Sequence, residues 1–280
     1  MKSVRYPLLA GLALVTLTLA CSCKKSRDPG DAIELPELKL KKGQTVRAIM
    51  ETVTENGTIK IVGGKENGSG TMFVQRVRVF EKTRTRDGFR YNIQKNDSNA
   101  SFEWKGQETP SETHTTLTGR PVLATRGDDG WKMTLAEGHA SPAQIAEIKA
   151  FEAYANRQWL PGHPVKIGDS WPCQPGFIKH FIQSDLIKTS TGGTLTLLSI
   201  EGDNAIVSVN IHGSGEHNDQ KTLSKASINL TGTAVFSIQT GLDLGLDLKG
   251  SVTSGVQHAN GEIKAVLLPV TLKVRKKILE

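Results

Sequence analysis

Two histidines and a carboxylate form the closest set of candidate metal ligands in this chain. His212 and His217 lie on either side of the segment 213–216, Gly-Ser-Gly-Glu. A turn in that segment would bring both imidazoles to the Glu216 carboxylate, and zinc accepts such nitrogen and oxygen ligands. Both histidines fall in a predicted polar loop after a strand, where histidines are commonly solvated. The sequence therefore predicts no metal and no other cofactor, with His212, Glu216 and His217 as the residues to inspect.

The familiar sequence signatures of catalysis do not occur. The chain has no Gly-x-Ser-x-Gly elbow, no P-loop, no dinucleotide fingerprint and no His-Glu-x-x-His. Asp128 and Asp129 precede Gly130 in a predicted turn. Asp243 and Asp247 fall on the predicted wet face of a strand. We therefore expect no catalytic residues and a protein that is not an enzyme.

The N-terminus has the layout of a secretory signal. Lys2 and Arg5 supply positive charge, an apolar stretch covers 7–20, and Ala20 precedes Cys21. The apolar stretch is too short to span a bilayer. A cysteine after a small residue resembles the bacterial lipoprotein box. That resemblance implies cleavage directly before Cys21 and a lipid on its sulfur.

The remaining cysteines are Cys23 and Cys173. A compartment outside the cytoplasm permits disulfides, and this pair would close a loop of about 150 residues. Sequence spacing does not tell whether the two sulfurs are close enough to bond. A Cys23–Cys173 disulfide and two separate thiols both stay open.

Alternation of apolar and polar residues predicts a mainly β protein. Apolar residues occupy every second position in the runs 242–248 and 266–274, which is typical of strands with one buried and one solvent-exposed face. Asp87-Gly88 between two apolar runs predicts a hairpin over 77–93. We expect a covered apolar face formed by Val207, Val209, Ile211, Leu242, Leu244, Leu246 and Leu248.

One helix is predicted in the middle of the chain, at about 142–159. Ser141 is a good N-cap, Pro142 suits the first helical position, and Gln144 completes a capping box. The prolines at 161 and 164 end the pattern. The helix should cover a sheet face with an apolar stripe of Ile145, Ile148, Phe151, Ala155 and Trp159.

The helix separates two similar halves. Lys-Gly-Gln-Thr-Val at 42–46 opens the first half and Lys-Ile-Gly-Asp-Ser-Trp at 166–171 opens the second, each before a hairpin. We predict two pseudo-repeated antiparallel β-meanders, arranged as a curved sheet, a half-barrel or a sandwich. The expected segments are a lipoprotein signal peptide at 1–20, a flexible tether at 21–37, a first β half at 38–140, a helical connector at 141–164 and a second β half at 165–280.

Short motifs along the chain resemble a family of bacterial lipoproteins with a domain of unknown function. They are Leu-Lys-Lys-Gly-Gln-Thr at 40–45, Val-Lys-Ile-Gly-Asp-Ser-Trp at 165–171, and a Gly-x-x-x-Phe-x-x-x-x-Gly-Leu pattern at 232–242. The family has no assigned activity, so the resemblance implies only an envelope lipoprotein. A broader likeness, at the level of fold alone, is to lipoprotein carriers whose curved sheet holds an apolar ligand.

The chain carries a formal net charge of +7. Basic clusters attract anionic lipid head groups, but the simpler interpretation, a solvated tether and a charged strand end, is favoured. Nucleic-acid binding is not expected, since no basic stripe is interleaved with aromatic residues. The two clusters lie beside the expected anchor and at the C-terminus: Lys24, Lys25 and Arg27, then Lys273, Arg275, Lys276 and Lys277.

These features together predict a lipid-anchored, extracytoplasmic binding or scaffolding protein at the bacterial cell envelope, in either the inner or the outer membrane. Its expected partners are the membrane, through the lipid, and an apolar ligand or an envelope protein. One alternative is a carrier or sensor that holds an apolar ligand in a concave sheet. A second alternative is a hydrolase that acts on envelope material.

Overall fold

The computed structural model describes residues 31–173, 192–219 and 221–279. No helix in these ranges is long and apolar enough to cross a membrane. The described elements are β1 Thr45–Val62, β2 Gly68–Arg84, β3 Gly88–Trp104, β4 Gln107–Thr113, β5 Val122–Gly127, β6 Gly130–Leu135, α1 Pro142–Ala155, β7 Ser170–Cys173, β8 Gly192–Glu201, β9 Asn204–Asn218, β10 Thr222–Ser237, β11 Asp243–His258 and β12 Ile263–Leu279. The prediction of a mainly β protein with a central helix is confirmed.

All twelve described strands belong to one antiparallel sheet, which is curved and open. Its order is β6-β5-β3-β2-β1-β12-β11-β10-β9-β8-β7, with β4 attached to β3. Each half of the chain is therefore an antiparallel run of mostly sequential strands, as predicted, except that β5 pairs with β3 and not with β4. The two meanders join where β1 pairs with β12. Of the three arrangements left open by the sequence, the protein adopts the curved sheet.

The inner face of the sheet carries the core. Strict alternation along β9 buries Val207, Val209 and Ile211 on one side, because successive side chains of a strand point to opposite faces. Leu246 and Leu248 on β11 are buried on the same face. The predicted apolar face is thus covered.

Leu244 is the exception within that predicted face. Phe236 on β10 pairs with Asp243, whereas the preceding Val235 pairs with Gly245. Leu244 is therefore the extra residue of a β-bulge, and a bulge shifts the alternation on one strand by one position. The shift turns Asp243 inward, so the expectation that Asp243 lies on the wet face is wrong. Asp247, beyond the bulge, does face outward.

The helix starts where the sequence predicts. Ser141 Oγ accepts a hydrogen bond from the Gln144 amide, and Gln144 Oε1 accepts one from the Ser141 amide. This reciprocal pair is a capping box. The expected apolar stripe is wrong at Ile145, which is 45% exposed. The buried face is formed by Gln144, Ile148, Phe151 and Tyr154.

The helix ends at Ala155, four residues before the predicted end at 159. The next residue, Asn156, binds an edge strand instead of continuing the helix. Its Oδ1 accepts the Trp131 amide proton at 2.7 Å and its Nδ2 donates to the Trp131 carbonyl at 2.8 Å. Glu152 Oε2 accepts the Met133 amide proton at 2.7 Å. Side chains of Glu152 and Asn156, at the end of the helix, thus pair with backbone groups on the edge of β6 that would otherwise be unpaired.

The chain packs onto the sheet before β1 begins. Ile33 and Val165 exchange two backbone hydrogen bonds of 2.8 Å. Ile33 and Leu35 are both buried in the main core. The packed part of the described chain therefore includes Ile33 and Leu35, which lie within the segment 21–37 that the sequence predicts as a tether.

Candidate functional site

Four charged side chains from four parts of the chain lie close together inside one end of the sheet. Lys82 lies on β2, Lys276 on β12, Asp243 begins β11, and Arg157 follows the end of α1. Strand alternation places Lys276 on the inner face, beside the buried Val274. The bulge at Leu244 adds Asp243 to the same space. These four residues are called the charge cluster below.

Asp243 is the centre of the charge cluster. Its Oδ2 accepts hydrogen bonds from Lys276 Nζ at 2.6 Å and from Arg157 Nη2 at 2.5 Å. The Tyr154 hydroxyl donates to the same oxygen at 3.4 Å. The Arg157 guanidinium also lies 3.9 Å from the centre of the Tyr154 ring. Charge-assisted hydrogen bonds and a cation–π contact therefore fix Arg157 and Lys276 in place.

Lys82 is the surplus cation of the cluster. Its ammonium lies 4.9 Å from the centre of the Phe89 ring. Within the described part of the chain it has no hydrogen bond or ion pair with a carboxylate. Its electrostatic neighbours are Lys276, Asp243 and Arg157. Three cations thus share one carboxylate.

The surroundings shift the pKa values of both lysines. Burial, and then the Lys276 charge, lower the pKa of Lys82 to about 7. Burial likewise lowers the pKa of Lys276 to about 8, although Asp243 opposes the shift. Near neutral pH Lys82 therefore exchanges between its charged and neutral forms, and a nearby anion would favour the charged form.

The other members of the cluster keep their charges. Burial alone would raise the pKa of Asp243, but Arg157 and Lys276 outweigh it and hold that pKa well below its usual range. Burial disfavours the charged Arg157, but Asp243 and Tyr154 outweigh it and raise the Arg157 pKa. Burial raises the pKa of Tyr154 and of Tyr91, so both phenols stay neutral.

Part of the cluster keeps contact with solvent. The side chains of Arg157 and Asp243 are 16% and 17% exposed, whereas that of Lys276 is 3% exposed. A small group could therefore reach the cluster beside Arg157. The chemistry that this arrangement offers is recognition of an anionic oxygen by ammonium and guanidinium donors.

A second polar group fastens the helix to the sheet. Arg78 Nε donates to Asn96 Oδ1 at 2.8 Å, and Asn96 Nδ2 donates to Glu147 Oε1 at 2.7 Å. Thr115 and Thr116 donate to the two oxygens of the same carboxylate. Burial, and then the neighbouring Arg76, lower the pKa of Arg78 to about 10. Since the Glu147 carboxylate already accepts these donors, the group serves the fold.

The structure separates the three candidate metal ligands. They lie on β9, which continues to Asn218, so the expectation of a polar loop is wrong. His212 and Glu216 point to one face of the sheet and His217 to the other, as alternation requires. Glu216 Oε2 instead pairs with Lys225 Nζ at 3.1 Å. Among the described residues, no three His, Cys, Asp or Glu side chains are grouped to hold a metal ion.

Only one of the three cysteines is within the described ranges. Cys173 on β7 is buried, and burial raises the pKa of its thiol to about 11. Cys21 and Cys23 lie outside the described residues. The lipid on Cys21 and the Cys23–Cys173 disulfide therefore stay predictions.

Alternation divides the C-terminal basic run between the two faces of β12. Lys276 belongs to the charge cluster, whereas Lys273, Arg275 and Lys277 face outward. Arg275 Nη2 donates to both oxygens of Asp247 at 2.8 Å. The charge cluster was not predicted, because its members are far apart in the chain. The only available signal was a lysine at an inward-facing position of the period-two pattern.

These features define a single-sheet β protein with a charge cluster beneath its helix. No family model matches the chain, and no curated protein matches it. Among solved structures, the chain is similar to an outer membrane channel from Pseudomonas putida F1, with a sequence identity of 11%. The similarity covers 90% of this chain and 100% of that chain, and the TM-score is 0.25. A TM-score this low does not establish a shared fold.

Proposed function

We propose that this protein is a lipid-anchored, extracytoplasmic binding or scaffolding protein of the bacterial cell envelope and that it works without catalysis. The observation that carries the scaffolding part is the filled inner face of the sheet. Val207 and Ile211 are fully buried. A carrier would need that face for its ligand, so its occupation by the protein's own side chains favours a scaffold.

Aromatic residues of the helical connector fill the concave face. Phe151 of α1 meets Phe80 of β2 edge-on, with ring centres 5.4 Å apart. Trp159, beyond the helix, lies against Phe236 of β10, with ring centres 6.5 Å apart. Its backbone carbonyl also accepts a 3.0 Å hydrogen bond from Trp171 Nε1. Such aromatic contacts add to the free energy gained from area burial, so a ligand would have to displace well-packed side chains.

The position of the packed N-terminal segment agrees with an anchor at Cys21. The segment from Cys21 to Asp31 is only ten residue steps long, which spans about 35 Å when fully extended. The next residues pack at Ile33 and Leu35. A lipid on Cys21 would therefore keep the adjacent end of the sheet close to the bilayer.

Metabolic labelling with a fatty-acid analogue tests the anchor. We expect label on the wild-type protein and none on Cys21→Ser. The matched control is Cys23→Ser, which changes a cysteine two positions away and should keep the label. Label on Cys21→Ser equal to that of the wild type would rule out lipidation at this residue.

A lipid-transfer assay separates the scaffold from the carrier. The full-length protein is added to vesicles that contain a fluorescent phospholipid, together with unlabelled acceptor vesicles. A scaffold leaves the rate of lipid transfer at its spontaneous value. Transfer that rises in proportion to protein concentration would favour the carrier and contradict the scaffolding proposal.

A further inference from the structure

We propose that the end of the sheet with Lys82, Arg157 and Lys276 is a binding site for a phosphoryl group, carried by a membrane phospholipid or by free phosphate. The proposal adds a ligand class to the binding role proposed above. Its lipid source rests on the proposed anchor, whereas the site itself does not.

The charge cluster contains more cations than carboxylates. Lys82, Arg157 and Lys276 share the single carboxylate of Asp243. A buried excess of charge is unfavourable unless a counter-charge compensates it. A cluster that only stabilised the fold through ion pairs would need no more cations than carboxylates. Among the described residues no second carboxylate compensates the surplus charge, so an anion from outside the described residues would stabilise the charged form of the cluster.

The hydrogen-bond donors of the charge cluster are held in position before any anion binds. Asp243 holds Lys276 and Arg157 in fixed positions, so neither side chain loses much freedom when an anion binds. Lys82 brings an ammonium with no acceptor among the described residues. An ammonium has three donors and binds phosphate as a point charge. Arg157 and Asp243 keep a small exposed fraction, through which an anion would have to reach the cluster.

The N-terminal segment of the described chain runs close to the charge cluster. Gly241, two residues before Asp243, packs against the backbone carbonyls of Pro36 and Glu37. Lys39 donates its amide proton to the Thr240 carbonyl at 2.8 Å. The chain that leads from Cys21 therefore passes directly beside the charge cluster. With a lipid on Cys21, phospholipid phosphates would be within reach of this end of the sheet.

A ligand-dependent melting experiment tests the site. The full-length protein, in non-ionic detergent at pH 7 and constant ionic strength, is titrated with inorganic phosphate or with dihexanoyl phosphatidylglycerol, and chloride serves as the blank. We expect both phosphoryl compounds to raise the melting temperature of the wild type. Lys82→Gln should weaken the apparent affinity roughly tenfold or more, because it removes a charge-assisted contact. The matched control, Lys60→Gln, changes an exposed lysine of β1 and should respond like the wild type.

The response to each compound identifies the source of the phosphoryl group. A higher apparent affinity for phosphate than for the lipid assigns the site to a free phosphate, and a higher apparent affinity for the lipid assigns it to a head group. Equal responses of wild type and Lys82→Gln, or none above the chloride blank, would overturn the proposal. The labelling result at Cys21 is independent of all these outcomes.

A second measurement needs no variant. Carbon-13 NMR of the lysine side chains follows the protonation of Lys82 with and without phosphate. Bound phosphate should raise the Lys82 pKa, because a neighbouring negative charge favours the ammonium. An unchanged titration at a saturating phosphate concentration would also overturn the proposal.

Discussion

Replacing Lys82 with Met should stabilise this protein, and the gain should depend on pH. Methionine is flexible, unbranched and apolar, so it can fill the space of the lysine stem without its charge. The folded protein lowers the Lys82 pKa from 10.5 to about 7. Between these two values the unfolded chain binds more protons than the folded chain, so the wild type gains stability as the pH rises. The variant lacks that dependence.

The size of the effect follows from the two pKa values. Lowering the Lys82 pKa from 10.5 to about 7 corresponds to about 5 kcal/mol for a fully shielded group. Lys82 is only partly buried, and water around the side chain screens the charge, so we expect about 2 kcal/mol. Lys82→Met should therefore be about 2 kcal/mol more stable than the wild type at pH 6, and this advantage should vanish near pH 10.5.

Urea unfolding followed by tryptophan fluorescence measures this difference. The buried Trp159 and Trp171 report on the core below the helix. Buffers without phosphate keep the proposed ligand away, and Lys60→Met controls for the loss of an exposed lysine. A gain of equal size at pH 6 and pH 10.5 would mean that packing is the cause. A loss of stability at pH 6 would refute the argument that Lys82 is a surplus cation.

Two further predictions concern the centre of the cluster and the edge of the sheet. Asp243→Asn leaves two buried cations without their carboxylate and should lower the free energy of unfolding in urea by about 3–5 kcal/mol. The control Asp247→Asn breaks an exposed ion pair and should lower it by less than about 1 kcal/mol. Similar losses for both variants would contradict the central role of Asp243. Asn156→Ala removes two hydrogen bonds to β6 and should cost about 1 kcal/mol and produce concentration-dependent association in sedimentation. The control Lys149→Ala changes an exposed residue of the helix and should stay monodisperse. If Asn156→Ala also stays monodisperse, the edge of β6 does not need the Asn156 side chain to prevent association.

The sequence predicts the elements well because their signals are local. The capping box at Ser141 and Gln144 involves neighbouring residues, and it begins the helix as expected. Period-two runs such as 266–274 become strands with one buried face. The end of the helix was missed because Asn156 makes its hydrogen bonds to Trp131, twenty-five residues away in the chain.

The charge cluster depends on longer-range geometry. Asp243 faces inward because of one extra residue in β11 relative to β10, and the alternating sequence of 242–248 contains no sign of that bulge. Lys276 belongs to a basic run that favours an exposed strand end, and only the register of β12 shows which of its charges turns inward. Arg157 joins the site because the helix stops early. Each step requires knowledge of a partner strand, which a single sequence does not provide.

The pairing of β1 with β12 has a consequence for how this chain can fold. Thr45 faces Leu279 across the central seam of the sheet, so nearly the whole chain separates the two sides of that seam. Loops of such length close slowly, and pairing between distant strands delays folding. The first half can form early, but β1 keeps an open edge until β12 is available. We therefore expect the two halves to form as separate units and the seam to close last, with newly made chains open to misassembly until β12 has been made.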